Sequence, residues 1–222
     1  MDWRWDFVWG VVFPLMIKAV PVVIYATILS FFIAATLGLV FAFLRKSSRK
    51  MVSYPIGELI EFIRGTPLLV QIFFLFFFLP EFGIILPPLT TGIIAIGVYN
   101  AALCAEVYRA GIQAVPRGQY EAAIALNLPL YRTYRSIIIP QALPPIVPAL
   151  GNYLIAIFKE TPLLSFVSVY EIMHVTKIIG SEYYRFTEAV TIAGIFFLVM
   201  SLIAAVGVKW IEQSLKKRYS IA

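Results

Sequence analysis

Charge is what this sequence has least of. Only 14% of its 222 residues are Asp, Glu, Lys or Arg, where a soluble domain carries about 25%. Chemistry-bearing side chains are equally sparse. There is one histidine, His174, with no cysteine near it, so the ligand set of an ordinary zinc site is missing. Nothing in the sequence supports a nucleophilic triad built on it. There is one cysteine, Cys104, so no disulfide can form within one chain and the redox compartment is unreadable from it. Flanked by Ala101, Ala102 and Ala105, it reads as a small helix-packing residue. No G-x-x-x-x-G-K-[ST] loop is present, which excludes a Walker-type phosphate cradle. The first nine residues hold Asp2 and Asp6 and no basic n-region, so a cleaved signal peptide is not expected. The formal charge of +6 is dispersed between apolar runs rather than gathered in a patch, which argues against nucleic acid as a partner.

What the sequence has in abundance is apolar length. It is 61% hydrophobic with a mean hydropathy of +0.88, beyond the roughly 45–50% of soluble domains. A spanning helix needs about 20 mostly apolar residues. The runs predict five such helices, over about 19–44, 55–80, 89–108, 142–170 and 189–208, with a long loop over 109–140. Pro21 falls near the start of the first, where proline is tolerated. Trp3, Trp5, Phe7 and Trp9 read as an interfacial aromatic belt. The stretch holding His174, Lys177, Glu182, Arg185 and Glu188 reads as a second polar loop.

Five spans place the chain ends on opposite sides. One side collects Arg45, Lys46, Arg49, Lys50, Arg109, Arg117, Arg132, Arg135, Lys209, Lys216, Lys217 and Arg218; the other collects Arg4, Lys177 and Arg185. Twelve against three makes the first side cytoplasmic. The expected fold is therefore an all-α membrane protein of five transmembrane helices with a short cytoplasmic coupling helix, N-terminus outside and C-terminus inside.

Two of the spans carry polar residues at matching places. Arg64-Gly65-Thr66-Pro67-Leu68-Leu69 resembles Lys159-Glu160-Thr161-Pro162-Leu163-Leu164. Each pairs a cation with a Thr-Pro break, and proline in a helix frees a carbonyl and kinks the rod. Such breaks survive in lipid only where protein or water repairs the bond. The sites are either packing kinks with snorkelling cations or the lining of a polar path, since embedded ionisable groups usually face a cavity. Glu58, Glu61 and Arg64 recur every three residues on one face, and Glu61 with Arg64 can equally form a structural ion pair. Tyr99 and Asn100 in the third span are pathway candidates or partners in an interhelical hydrogen bond worth about 1 kcal/mol.

The loop at 109–140 organises the rest. Residues 119–128 read as a short helix with a small-residue face at Ala122, Ala123 and Ala125, ended by Asn127 and Pro129. A plain amphipathic interfacial helix is the other reading, and it calls for larger apolar anchors. Glu121-Ala122-Ala123, three residues, Asn127, nine residues, Ile137, one residue, Ile139 and Pro140 together resemble the EAA signature of ABC importer permeases. Asn127 stands where that pattern has glycine and Ile139 where it has leucine; asparagine shares glycine's tolerance of the left-handed region. The stretches Arg64 to Gln71, Ala105 to Gly111, Val115 to Gln119 and Pro148 to Asn152 look like the polar-amino-acid branch of that family. The tryptophan-rich start, Ala125-Leu126-Asn127-Leu128 and Tyr184-Arg185-Phe186 look most like its ectoine/hydroxyectoine permeases.

The resemblance implies an importer subunit in a bacterial inner membrane that forms half of a pathway with a second permease, identical or related. It implies a cytoplasmic ABC ATPase dimer that uses ATP, an extracytoplasmic solute-binding protein, and no cofactor or metal on this chain. Gly118, Glu121, Ala122, Ala123, Asn127, Ile139 and Pro140 would couple to the ATPase. Glu61, Arg64, Thr66, Tyr99, Asn100, Asn152, Lys159, Glu160 and Thr161 would line the path. In that role Arg64 and Lys159 would meet a solute carboxylate and Glu160 its cationic group. An ion-gradient-driven transporter and a non-transporting membrane scaffold are the other classes the composition allows.

Overall fold

The computed structural model describes residues 3–219. Asp2 falls outside them, and so do the side chains of Lys216 and Arg218. The described residues are almost wholly helical: α1 (Trp5–Arg45), α2 (Lys50–Gly65), α3 (Leu68–Phe82), α4 (Pro88–Gln113), α5 (Arg117–Ala125), α6 (Leu130–Val167), α7 (Ile172–Tyr183) and α8 (Phe186–Tyr219). Four of these, α1, α4, α6 and α8, are each long and apolar enough to cross a membrane, and the bent pair α2–α3 passes the same test only when its two helices are taken together, for up to five spans. The fold is that of an all-α, multi-pass membrane protein.

The bundle is built on α1 against α4, its most extensive helix pair. Lipid offers no hydrophobic gain for bringing two apolar helices together, so close contact must come from packing and cross-helix hydrogen bonds. The sequence provides both. Ala26, Ser30, Ala34 and Gly38 recur every fourth residue and are all buried; Gly97, Ala101 and Ala105 do the same on α4. At Gly38 an added Cβ would lie 2.7 Å from Cys104 Cβ and 2.8 Å from Ala101 O. Ser30 Oγ donates to Ile93 O at 3.2 Å, and Tyr108 Oη to Ala35 O at 3.1 Å. Cys104 is thus the packing residue its neighbours suggest.

Several element bounds differ from the sequence expectation. The first helix begins at Trp5, not near 19, and Pro21 lies well inside it. Lys18 interrupts the apolar count but not the helix, because its side chain points outward while Met16 and Ala19 pack inward. At about 1.5 Å per residue a helix of 41 residues is about twice as long as the hydrocarbon core is thick. Its first part packs instead with α7 and α8, through Phe7, Val12, Met16, Ile172, Ile179 and Ala189. Trp5 and Trp9 remain exposed there, as a belt requires. The fourth helix starts at Leu130 rather than 142, running through a π turn at Thr133–Ile138; Arg132 and Arg135 bar those residues from lipid, not from a helix. It ends at Val167, its last turn tightened to 3-10 from Thr161. The expected second polar loop is largely helix α7, capped by Glu171, whose carboxylate accepts from Met173 N at 2.8 Å and His174 N at 2.7 Å.

The α1–α4 seam is the first place to probe. Gly38→Ala is expected to cost about 1–3 kcal/mol by overpacking. Gly194→Ala, on α8 with open space around it, should stay within about 0.5 kcal/mol. Thermal unfolding midpoints of the two variants in detergent check the contrast.

Candidate functional site

Two sites emerge from the folded chain, one at the α5 loop and one where α2–α3 and α6 bend. At the loop, Pro116 fixes an extended residue and α5 starts immediately after it, two residues earlier than position 119. The helix stops at Ala125 by a Schellman arrangement. Asn127 takes φ 52°, Leu128 N donates to Ala123 O at 3.0 Å and Asn127 N to Ile124 O at 2.8 Å. Asparagine's tolerance of the left-handed region is therefore used here.

The small residues of α5 do not share one face. Ala123 is 1% exposed and seats the helix on the bundle. Gly118, Glu121, Ala122 and Ala125, spaced i, i+3, i+4 and i+7, are all exposed and form the outward stripe. Nothing lies within 4 Å of a Cβ added to Gly118. Among the described residues Glu121 makes no hydrogen bond or ion pair. Ile124 and Leu126, at 77% and 72% exposure, are larger apolar groups beside the stripe. The helix is held by Tyr120, whose hydroxyl donates to Ile112 O at 3.4 Å and whose ring meets Tyr134 at 6.4 Å. Gln141 Nε2 on α6 donates to Gln119 Oε1 at 3.2 Å. Ile139 is 43% exposed and Pro140 half-buried, both on α6 after its π turn.

At the second site the two Thr-Pro positions behave differently. The chain turns by 102° between α2 and α3 at Thr66-Pro67. The carbonyls left over are satisfied by side chains: Thr66 Oγ1 donates to Phe62 O at 2.8 Å, and Gln71 Nε2 to Ile63 O at 2.8 Å and Thr66 O at 3.0 Å. At Thr161-Pro162 there is no sharp break. Thr161 is buried, its hydroxyl donates to Phe158 O at 2.8 Å, and the helix tightens before Ser168 turns it at φ 59°.

Asn100 and Glu160 are brought together across α4 and α6. Asn100 Nδ2 donates to Glu160 Oε2 at 2.7 Å and to Ile96 O at 3.0 Å. Asn100 is fully buried and its Oδ1 has no partner among the described residues. Tyr153, partly buried, packs against the same core cluster as Tyr99. Glu61 pairs with Arg64 at 3.4 Å and approaches Arg45 at 3.8 Å. Lys159 and Asn152 are exposed, and no ion pair joins Lys159 to the adjacent Glu160.

Residues 34–217 match the family described as the binding-protein-dependent transport system inner membrane component. The chain belongs to that family. It is 43% identical over 207 residues to the probable amino-acid ABC transporter permease protein y4tG of Sinorhizobium fredii, covering 93% of this chain and 90% of that one. The glutamine transport system permease protein GlnP of Escherichia coli is 28% identical over 218 residues, covering 97% and 99%. A crystal structure of an amino acid ABC transporter with histidines superposes with a TM-score of 0.92 at 34% identity, over 96% of this chain and 100% of that one. The MetNI methionine ABC transporter in an inward-facing conformation shares the fold, with a TM-score of 0.79 at 17% identity, over 96% and 99%.

Three residues of this permease escaped the sequence reading as site candidates. Tyr153 gave no signal beyond lying next to Asn152. Glu106 bridges Arg45 at 2.6 Å and Arg109 at 2.5 Å, tying α1 to α4 at one membrane end; its spacing of three from Arg109 was the available clue. Glu171 is fully buried at the start of α7. Burial pushes its carboxyl up to about 7 against two backbone donors and the nearby Lys177, which pull it down. A raised folded-state value means the fold favours the protonated acid. The resulting stability is present below the ordinary carboxylate range and is lost as pH rises through about 7. The permease should therefore be less stable at pH 8 than at pH 5, by about 2–3 kcal/mol from this group, and unfold at a lower temperature. Glu171→Gln should flatten that dependence, as measured by thermal unfolding across the pH series.

Proposed function

We propose that this permease forms half of a transmembrane import pathway for a polar amino acid or a related compatible solute. It docks a cytoplasmic ABC ATPase dimer through α5, pairs with a second permease, identical or related, and receives solute from an extracytoplasmic binding protein. ATP is hydrolysed by the partner; this chain holds no ATPase site and no cofactor of its own. The excess of Lys and Arg at one set of loops puts α5 and the C-terminus in the cytoplasm and the N-terminus outside.

The observation that carries the reading is the outward stripe of α5. Gly118, Ala122 and Ala125 give no bulk, Glu121 gives one uncommitted carboxylate, and Ile124 and Leu126 offer apolar anchors that an ATPase groove would cover. Ala123, Asn127, Ile139 and Pro140 act by holding the helix and its exit rather than by touching the motor. Closure of the ATPases would move α5, and Gln141 and the Tyr120–Tyr134 contact would pass the motion to α6.

For the cargo, Asn100 Oδ1 and the Glu160 carboxylate are acceptors suited to an ammonium or amidinium group, while Arg64 and Lys159 suit a carboxylate. Thr66 and Thr161 shape the bends, and Tyr99, Asn152 and Glu61 stand near. The relatives' printed cargoes, among them glutamine, cystine and arginine, support an amphoteric solute. The finer assignment to ectoine or hydroxyectoine rests on Tyr184-Arg185-Phe186, the Trp-rich start and the residues around Asn127.

Glu121→Lys should abolish ATP-dependent uptake in proteoliposomes while leaving the thermal unfolding of the permease unchanged. Unaltered uptake and unaltered ATPase co-purification would refute the docking role. Uptake driven by an ion gradient with no ATPase present would favour a secondary transporter. Glu160→Gln should change the ranking of transported solutes; an identical ranking removes Glu160 from the path.

A further inference from the structure

At the membrane end where the basic residues gather, the structure has a groove separate from the outward stripe of α5 and from the α2–α3 bend. It has a volume of about 570 Å³ and lies between the end of α1, the end of α4 and the start of α6. Leu39, Ala42, Phe43 and Ile112 form its apolar wall. Phe43 is 60% exposed and Leu130, at the mouth, 74%. Its rim carries Arg45, Lys46 and Arg109.

The charges at this rim do not cancel. Glu106 is the carboxylate shared by Arg45 and Arg109, at 2.6 Å and 2.5 Å. Glu61 approaches Arg45 at 3.8 Å but is itself paired with Arg64 at 3.4 Å. Counting Arg45, Lys46, Arg64 and Arg109 against Glu61 and Glu106 leaves two positive charges. Lys46 donates to Tyr134 Oη at 2.6 Å, which uses one of its three N–H bonds. Arg109 is directed by Glu106 and by Gln113 Oε1 at 2.9 Å and keeps 44% of its side chain exposed. An apolar trough along the span that opens onto an excess of cations matches an amphiphile with an apolar tail and an anionic head. Basic pockets between helices at a membrane face recognise anionic lipid headgroups on this principle.

We infer that this groove is a binding site for one anionic phospholipid. The phosphate sits between Lys46 and Arg109, and an acyl chain lies along Leu39, Phe43 and Ile112. Because Tyr134 touches both Lys46 and Tyr120, an occupied groove would brace the residues that carry α5. The assignment does not depend on which solute is transported.

The test uses the full permease in nanodiscs of phosphatidylcholine with or without phosphatidylglycerol, and native mass spectrometry to score retained lipid. Phosphatidylglycerol should be retained at least about 10-fold over phosphatidylcholine, and Lys46→Gln with Arg109→Gln should bring the two near parity, given about 1 kcal/mol per basic residue near an anionic surface. Leu39→Trp keeps every cation but fills the trough, and should also reduce retention. No preference in the unaltered permease, or an undiminished preference in both a folded double variant and Leu39→Trp, overturns the site. Displacement of the lipid by millimolar inorganic phosphate alone would make it a plain anion site and overturn the lipid assignment. Efficient disulfide cross-linking of two Lys46→Cys copies would show that a second permease covers the groove, with the same consequence.

Discussion

The fold depends on how closely α1 and α4 can approach. In water two apolar helices are driven together by the solvent they exclude; in lipid that drive is absent, and packing and hydrogen bonds must replace it. The Ala26-Ser30-Ala34-Gly38 stripe meeting Gly97-Ala101-Ala105 lets the backbones come near enough for Ser30 and Tyr108 to reach carbonyls across the seam. With that pair fixed, Asn100 on α4 has one place to point, and α6 delivers Glu160 to it. The bent pair α2–α3 packs against the same two helices and places Glu61 and Arg64 near its bend. The polar interior is a consequence of the small-residue seam.

The membrane imposes a second rule, that every backbone group freed by a bend must find a partner inside the protein. The two Thr-Pro positions obey it in different ways. At Thr66 the break is wide and Gln71 reaches back to two carbonyls. At Thr161 the turn only tightens and the threonine hydroxyl suffices. A wide break leaves its flanking charges near water or a partner, and Arg64 and Glu61 are accordingly exposed; a tight one buries its threonine and keeps Glu160 against Asn100. The local repeat in the sequence thus yields two unlike halves of one polar region.

The outward stripe of the α5 loop is made from very little. It has one carboxylate and three residues with a methyl group or less. Its position comes from Ala123 and Tyr120, which face inward, from Asn127, which ends the helix, and from Gln141, which reaches it from α6. Substitutions in that second group would act through placement, and those in the stripe through contact. The groove between α1, α4 and α6 lies directly behind this loop, so whatever fills it stiffens the support of α5.

Much was determined by sequence alone. Apolar run length located the four long helices and the bent pair, because lipid thickness sets a minimum length. The spacing from Glu121 to Pro140 gave the family, and Asn127 gave the end of α5, because each depends on local chain order. What needed the tertiary structure was anything fixed by a neighbour distant in sequence. The extension of α1 back to Trp5 past Lys18, the inward turn of Ala123, the union of Asn100 with Glu160 sixty positions away, and the burial of Glu171 all follow from which helix lies alongside. Hydropathy reports how a residue meets solvent or lipid, and carries no record of the other helix that shields it.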